Sequence, residues 1–205
     1  MYLGEDSYFL SETLRLYLKN KDREIKILDT KKIPIKNFRG ARESFRILDI
    51  GSGSGIQAET CLNLGFNNLS ASDIDSETIN YLKNKFKTFK TIKTIKSNLF
   101  KDIKDKFDLI IFNPPYLPED KFDKKRDTTG GKKGCELILR FLAEARNHLA
   151  EKGEILLLFS SISSPNRILT EAKKLNYKSK LLARKKLFFE ELFIYEFSIN
   201  IQKYS

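Results

Sequence analysis

Phe45-Arg46-Ile47-Leu48-Asp49-Ile50-Gly51-Ser52-Gly53-Ser54-Gly55 joins a short apolar run to three glycines at alternate positions. A run of this length and composition, bounded by glycine, reads as a buried strand. The glycines permit a tight turn and let a ligand come close to the backbone. The segment that follows, Ile56 to Leu64, reads as a helix and stops at Gly65, a natural C-cap. A glycine loop binds a nucleotide-type group when it lies between a strand and a helix, and that order is present here.

Working outward, the same alternation continues. Asn68–Ser72 reads as a second strand ending in Asp73, about 20 residues beyond the loop. An acidic side chain there can accept hydrogen bonds from both hydroxyls of a ribose. Its rival role is to cap the helix predicted over 76–87, which carries Ile79, Leu82 and Phe86 on one face. Lys90–Ile95 is a third strand leading to Ser97-Asn98-Leu99-Phe100, where Asn98 suits an adenine edge or a simple turn. Phe107–Phe112 is a fourth strand and runs into Asn113-Pro114-Pro115-Tyr116. Two prolines cannot continue a sheet, so the chain turns where the strand ends. Ligands of open α/β sheets sit at the carboxyl ends of strands. Asn113, Pro114, Pro115 and Tyr116 therefore line a crevice suited to a planar group carrying an NH2.

Residues 117–133 read as a flexible loop over that site. Glu136–Leu149 is an amphipathic helix ended by Lys152-Gly153, and Glu154–Ser160 is a fifth, central strand. Asn166–Leu175 is a helix with Pro165 at its first turn. Tyr177–Ala183 and Leu192–Ile199 alternate in the strand manner, and their short connector makes them antiparallel. Upstream, residues 5–19 have the spacing of an amphipathic helix that Asp6 or Ser7 can cap, and 20–44 reads as a loop or small hairpin with a strand at Lys26–Leu28. The sum is an α/β, seven-stranded, mostly parallel Rossmann-like sheet with an antiparallel last strand and helices on both faces. That antiparallel end separates it from dinucleotide dehydrogenases. One domain is expected over 1–205, with 1–44 as lead-in and 45–205 as core.

Composition narrows the class. Hydrophobic content of 40% and charge of 32% fit a globular protein, and no apolar run approaches the roughly 20 residues of a membrane span. The N-terminus is acidic rather than basic, which argues against a signal peptide and for a cytoplasmic protein. Cys61 and Cys135 lack metal-ligand spacing and read as reduced structural residues, and a single histidine, His148, excludes a histidine-based metal site or triad. The net charge of +11 gathers locally at Lys124-Lys125-Arg126, Lys132-Lys133 and Arg184-Lys185-Lys186. Those clusters are either a solvated face or a docking surface for an RNA-associated or acidic partner.

These residues resemble the class I methyltransferases that use S-adenosylmethionine, and within them the HemK-like N5-glutamine methyltransferases of the short archaeal and eukaryotic type. Glu5-Asp6-Ser7-Tyr8-Phe9-Leu10, Ile47 to Gly55, Ser97-Asn98-Leu99-Phe100, Asn113-Pro114-Pro115-Tyr116, Gly130-Gly131-Lys132-Lys133-Gly134 and Leu187-Phe188-Phe189-Glu190-Glu191-Leu192 are each similar to a family segment. Three departures stand out: Leu3-Gly4 where the family carries a proline, Asn98 where it carries aspartate, and a segment 20–44 longer than the family's. The resemblance implies methylation of the glutamine amide in the Gly-Gly-Gln motif of a class I translation release factor. It implies a cofactor site built from Ser7, Asp49, Gly51, Gly53, Gly55, Asp73, Ile74, Asn98 and Leu99, and a catalytic set of Asn113, Pro114, Pro115 and Tyr116, with no metal. It also implies a small zinc-binding activator protein as heterodimer partner.

The Asn113–Tyr116 tetrapeptide by itself serves adenine as well as glutamine, so an adenine-N6 methyltransferase acting on RNA or DNA is the alternative. The absence of a separate target-recognition domain weighs against it, since a base in a duplex must be flipped out. A non-enzymatic module that binds S-adenosylmethionine or RNA is a third reading, opposed by the intact tetrapeptide.

Overall fold

The computed structural model describes residues 4–30, 42–118 and 130–200. A single seven-stranded sheet organises them, in the order β3-β2-β1-β4-β5-β7-β6. Its strands are β1 (Ile47–Ile50), β2 (Leu69–Asp73), β3 (Ile92–Lys96), β4 (Phe107–Phe112), β5 (Leu149–Ser160), β6 (Tyr177–Lys186) and β7 (Glu191–Ile199). β1 lies parallel to both β2 and β4, and β7 runs antiparallel between β5 and β6. The order reverses between β1 and β4, which makes their carboxyl ends the switch point of the sheet.

The central strands are apolar throughout because both faces are covered. Leu48, Ile110, Phe112, Ile155, Leu157 and Phe159 face one core, beneath α4 (Glu136–Ala145) and α5 (Pro165–Lys174). Ile47, Leu109, Ile111, Leu156 and Leu158 face the other, beneath α1 (Glu5–Thr30), α2 (Ile56–Asn63) and α3 (Ser76–Lys85). α1 inserts Leu10, Leu14 and Leu18, all fully buried, at helical spacing into that second core. Each such side chain stabilises the docked helix by roughly 1.5–3 kcal/mol. Polar ties fix its register: Ser11 Oγ lies 2.7 Å from Thr60 Oγ1, the Tyr17 hydroxyl donates to Glu154, and Arg42 grips Asp22 through two bonds of 2.6 Å.

Three sequence expectations are corrected. The first helix does not end near residue 19. It runs to Thr30, so there is no strand at Lys26–Leu28, and residues 31–41 of the expected loop lie outside those described. No proline or glycine interrupts the chain between Gly4 and Pro34, and the intervening Lys, Arg and Glu are good helix formers. Asp6 and Ser7 sit inside the first turn, because the helix begins at Glu5. Finally, the helix expected to reach Leu149 stops at Ala145 and tightens into a 3-10 turn, and β5 starts at Leu149 rather than Glu154. Phe107 pairs with Leu149 but Leu109 with Glu154, so extra residues bulge out of β5. At Gly153, inside that bulge, a Cβ would fall 2.6 Å from the Phe107 carbonyl.

The remaining elements match to within one or two residues, except β6, which runs three residues past the expected Ala183 to Lys186. The closing antiparallel pair is present, and Pro165 opens α5 as expected. Cys61 and Cys135 are buried and unbridged.

Candidate active site

Four strand ends converge at the switch point. Ile50 pairs with both Ser72 and Phe112, which sets Gly51, Asp73 and Asn113 side by side. Ser97 N donates to the Asp73 carbonyl at 2.8 Å and brings the Ser97–Phe100 segment alongside.

The glycine loop is held open from below. Gly51, Gly53 and Gly55 all have positive φ, at 62°, 50° and 74°, in the region that disfavours a Cβ. Ser52 Oγ donates to the Asp49 carbonyl at 2.8 Å, and Ser52 N to the Ser72 carbonyl at 2.9 Å. Asp73 accepts from Gly53 N through Oδ2 and from Asp75 N through Oδ1, both at 3.0 Å. The helix cap, Asp73's rival role, belongs instead to Asp75, which accepts from Thr78 N at 2.8 Å. Ile74, next along, leaves 61% of its surface exposed beside the loop. Asp49 lies fully inside, with Oδ2 buried and unpartnered. Burial is the main cause that pushes its carboxyl up to about 7; the Ser52 and Ala58 hydrogen bonds pull back, and the Asp73 charge adds to the rise.

Asn98 and Leu99 occupy the turn after β3. Leu99 is buried with φ of 50°, an unusual conformation for a residue with a Cβ. The Asn98 side-chain oxygen accepts from the Arg140 guanidinium, so its NH2 is the end able to bond a ligand.

The end of β4 is the most constrained part. Asn113 Nδ2 donates to Asp6 Oδ2 at 2.9 Å and to Ser7 Oγ at 3.2 Å. A carboxylate only accepts, so this contact fixes which way the amide points. The opposite atom, Asn113 Oδ1, is buried with no partner. The first turn of α1 is itself anchored, since Gln57 Nε2 donates to the Ser7 carbonyl at 2.9 Å. Tyr116 packs against both cores. Burial, reinforced by the charges of Asp6 and Glu190, pushes its phenol far above the ordinary range, so it stays protonated.

Behind this loop lies the Gly130–Gly134 turn. Gly130 N donates to the Leu117 carbonyl at 2.8 Å. A Cβ on Gly130 would stand 2.7 Å from the Pro115 carbonyl, and one on Gly134 2.4 Å from the Tyr116 carbonyl. Only bare backbone can brace the tetrapeptide so closely. Ser163 Oγ donates to the Tyr116 carbonyl from the other side at 3.0 Å. Residues 119–129, most of the expected flexible loop, and the Lys124-Lys125-Arg126 cluster lie outside the described residues.

Buried polar atoms without partners are rare, and each calls for a reason. Those found among the described residues are Asp49 Oδ2, Gln57 Oε1, Asn113 Oδ1 and Glu190 Oε2. All four belong to this crevice or to the elements that brace it. Sequence reading placed Asp49 and Asn113 here but not Asp6 as a site residue, nor Gln57, Glu190, Ser163 and Arg140. Asp6 carried a usable signal, the Glu5-Asp6-Ser7 start. The others act through contacts across the fold. Among the described residues no group of three or more His, Cys, Asp or Glu could hold a metal, and no helix is long and apolar enough to cross a membrane.

Comparison with known proteins gives the crevice a context. A candidate protein N5-glutamine methyltransferase of Methanocaldococcus jannaschii is 34% identical over 155 residues, covering 72% of this chain and 78% of that protein. The release factor glutamine methyltransferase of Lactococcus lactis is 30% identical over 128 residues; the match spans 57% of this chain but only 47% of that longer relative. Among solved structures, the E. cuniculi Mtq2–Trm112 complex, responsible for methylation of the eRF1 translation termination factor, superposes with a TM-score of 0.68 at 20% identity, covering 97% of this chain and 98% of the matched one. Residues 28–187 match the methyltransferase small domain model. With the sheet order described above, these similarities establish that the chain has the class I methyltransferase fold and belongs to the methyltransferase small domain family.

Proposed function

We propose that this chain methylates the side-chain amide nitrogen of a glutamine in a class I peptide chain release factor, using S-adenosylmethionine. The observation that carries the reading is Asn113. Its NH2 is held by Asp6 and Ser7, and its Oδ1 is buried without a partner at the edge of the glycine loop. That oxygen is an acceptor able to take an N–H. The names of the M. jannaschii and L. lactis relatives point to glutamine. The E. cuniculi Mtq2–Trm112 complex, which methylates eRF1, is the precedent for a release factor as substrate and a second protein as partner.

The residues present fit S-adenosylmethionine. Asp49 Oδ2 is a buried acceptor suited to an ammonium group, and Asp73 suits the ribose hydroxyls. The positive-φ glycines leave room for the methionine portion, with Ser7 closing from α1, and Ile74, Asn98 and Leu99 suit the adenine. When bound, S-adenosylmethionine supplies a methyl group activated by sulfonium sulfur. The protein's task is to present the acceptor. A glutamine amide nitrogen is a weak nucleophile because its lone pair is delocalised into the carbonyl. Asn113 Oδ1 and the Pro114 carbonyl accept its two N–H bonds, which orients the nitrogen and favours electron density on it. Pro115 stiffens the turn that presents these acceptors, and Tyr116, held protonated, packs on the amide plane. Orientation of this kind contributes several kcal/mol to a transfer reaction.

The direct test is purified protein with tritiated S-adenosylmethionine and release factor, RNA and DNA in parallel. Label is expected in release factor, on glutamine; label in adenine instead would replace this reading with the nucleic-acid one.

Asp49 gives a pH signature. Because its folded pKa is raised to about 7, its contribution to stability is full below its ordinary range near 4 and is lost as pH rises through 7. Binding an ammonium group favours the ionised form. S-adenosylmethionine affinity is therefore expected to climb from pH 6 to pH 8, up to about tenfold per unit below the pKa, and to be weaker and flatter in Asp49→Asn. Calorimetric titration across that range checks it; an unchanged slope in the variant would remove Asp49 from the site.

A further inference from the structure

The connector between β6 and β7 breaks the usual composition of a tight turn. Leu187 N donates to the Glu190 carbonyl at 2.8 Å, leaving Phe188 and Phe189 as the tip. Glycine, asparagine or aspartate is the norm at such positions. Phe188 is 92% exposed and Phe189 88%, and the rings touch edge to face with centroids 4.6 Å apart. Their burial contributes almost nothing to the folded state. A paired aromatic tip that the core does not use is a departure expected where function overrides stability.

The tip is fastened beside the active site. Leu187 and Tyr116 pack against the same core cluster. The turn after β5 bridges the two: Ser161 N donates to the Glu191 carbonyl at 2.8 Å, while Ser163 Oγ donates to the Tyr116 carbonyl at 3.0 Å. Lys185 also pairs with Glu5 at 3.1 Å, one residue before Asp6. Between tip and crevice stands Glu190, whose Oε2 is buried and unpartnered and whose charge reaches the Tyr116 phenol, as that of Asp6 does.

We propose that Phe188 and Phe189, with Glu190, form the docking element for the stretch of substrate polypeptide that flanks the methylated amide: the two rings take an apolar side chain, and the Glu190 carboxylate takes backbone N–H or cationic groups. This rests on the reading of the chain as a protein methyltransferase. Charge favours a polypeptide over a nucleic acid, because the mouth carries the carboxylates of Asp6 and Glu190, which repel phosphate. Of the five basic residues on the hairpin, Arg184 and Lys185 pair with Glu191 at 3.8 Å and with Glu5, Lys178 and Lys180 lie toward the far end of β6, and Lys186 is exposed near the tip. The rings also add a reach beyond the crevice that a free glutamine would not need.

The test compares wild type with Phe188→Ser/Phe189→Ser and with Glu190→Gln, measuring KM and kcat for release factor, S-adenosylmethionine affinity by calorimetry, and Tm. The double variant is expected to raise KM at least tenfold and Glu190→Gln several-fold, with cofactor affinity within twofold and Tm not lowered. An unchanged KM in the double variant would overturn the docking proposal alone. Wild type that labels RNA or DNA but no protein would overturn the functional reading, and the proposal with it. A lowered Tm or weakened cofactor binding in the double variant would mean that the rings are structural, and a tip-dependent dimer in solution would mean that they serve self-association; either overturns the proposal.

Discussion

Asn113→Ala is expected to lower kcat for methyl transfer by about 10²–10³-fold, some 3–4 kcal/mol in the barrier, while S-adenosylmethionine affinity stays within a few-fold of wild type. The loss follows from the one side-chain oxygen at the end of β4 that is buried and unpartnered. Without it a substrate NH2 keeps only backbone acceptors and can rotate. The cofactor site is largely spared because Asn113 touches it only through Ser7, at 3.2 Å, and makes no hydrogen bond to the glycine loop or to Asp73. Losing those two bonds costs the first turn of α1 on the order of 1–2 kcal/mol, so Tm is expected to fall modestly. Asn113→Asp is the sharper probe. It keeps an acceptor but sets a second carboxylate oxygen against Asp6 Oδ2, where the Asn113 donor now stands at 2.9 Å. Single-turnover rates and calorimetry on both variants separate the effects; near-wild-type transfer by the alanine variant would sink the role given to Asn113.

Gly134→Ala is the second large effect, and it comes from a residue with no chemistry of its own. Its φ of 72° disfavours any Cβ, and the added carbon would lie 2.4 Å from the Tyr116 carbonyl and 3.1 Å from Pro118 N. Backbone cannot yield as a side-chain tip can, so the turn or the Pro115–Pro118 strip must shift. A displacement near 1 Å at the acceptor loop is expected to cost about 10²-fold in kcat. The strain itself costs roughly 1–3 kcal/mol of stability. Cofactor affinity is expected to hold, because Gly134 braces the Tyr116 loop and not Gly51–Gly55. A fall in cofactor affinity equal to that in kcat would show that the two loops move together, contrary to this account.

Much of the architecture is legible in the sequence because it depends on local signals. The apolar runs at Ile47–Ile50 and Phe107–Phe112, the glycines after β1 and the paired prolines after β4 each fix an element end within a few residues. The extension of α1 to Thr30 was hidden because residues 20–30 carry no clear apolar stripe, and helix continuation there rests on the absence of breakers. The early start of β5 was hidden because it depends on Phe107 pairing with Leu149 around a bulge. The site divides the same way. Asn113, Asp73 and the glycines announce themselves by position at strand ends. Asp6 is marked only by its place in the Glu5-Asp6-Ser7 start; its role is not, since its partner lies 107 residues away and only the folded chain brings them together. Glu190, Ser163 and the bracing role of Gly130 and Gly134 are likewise products of topology.

The place of β7 has a consequence for how the chain assembles. The last strand is not an edge strand; it enters between β5 and β6 and pairs with both. Until residues 191–199 are available, β5 has one open side and β6 has no neighbour at all. Exposed strand edges of that kind invite association with other chains. A chain emerging from the ribosome in order therefore keeps those two edges open until β7 arrives and slides between them. The Ser161 bond to Glu191 belongs to that same late step, so the turn that steadies Tyr116 through Ser163 is tied to the hairpin only once β7 is in place.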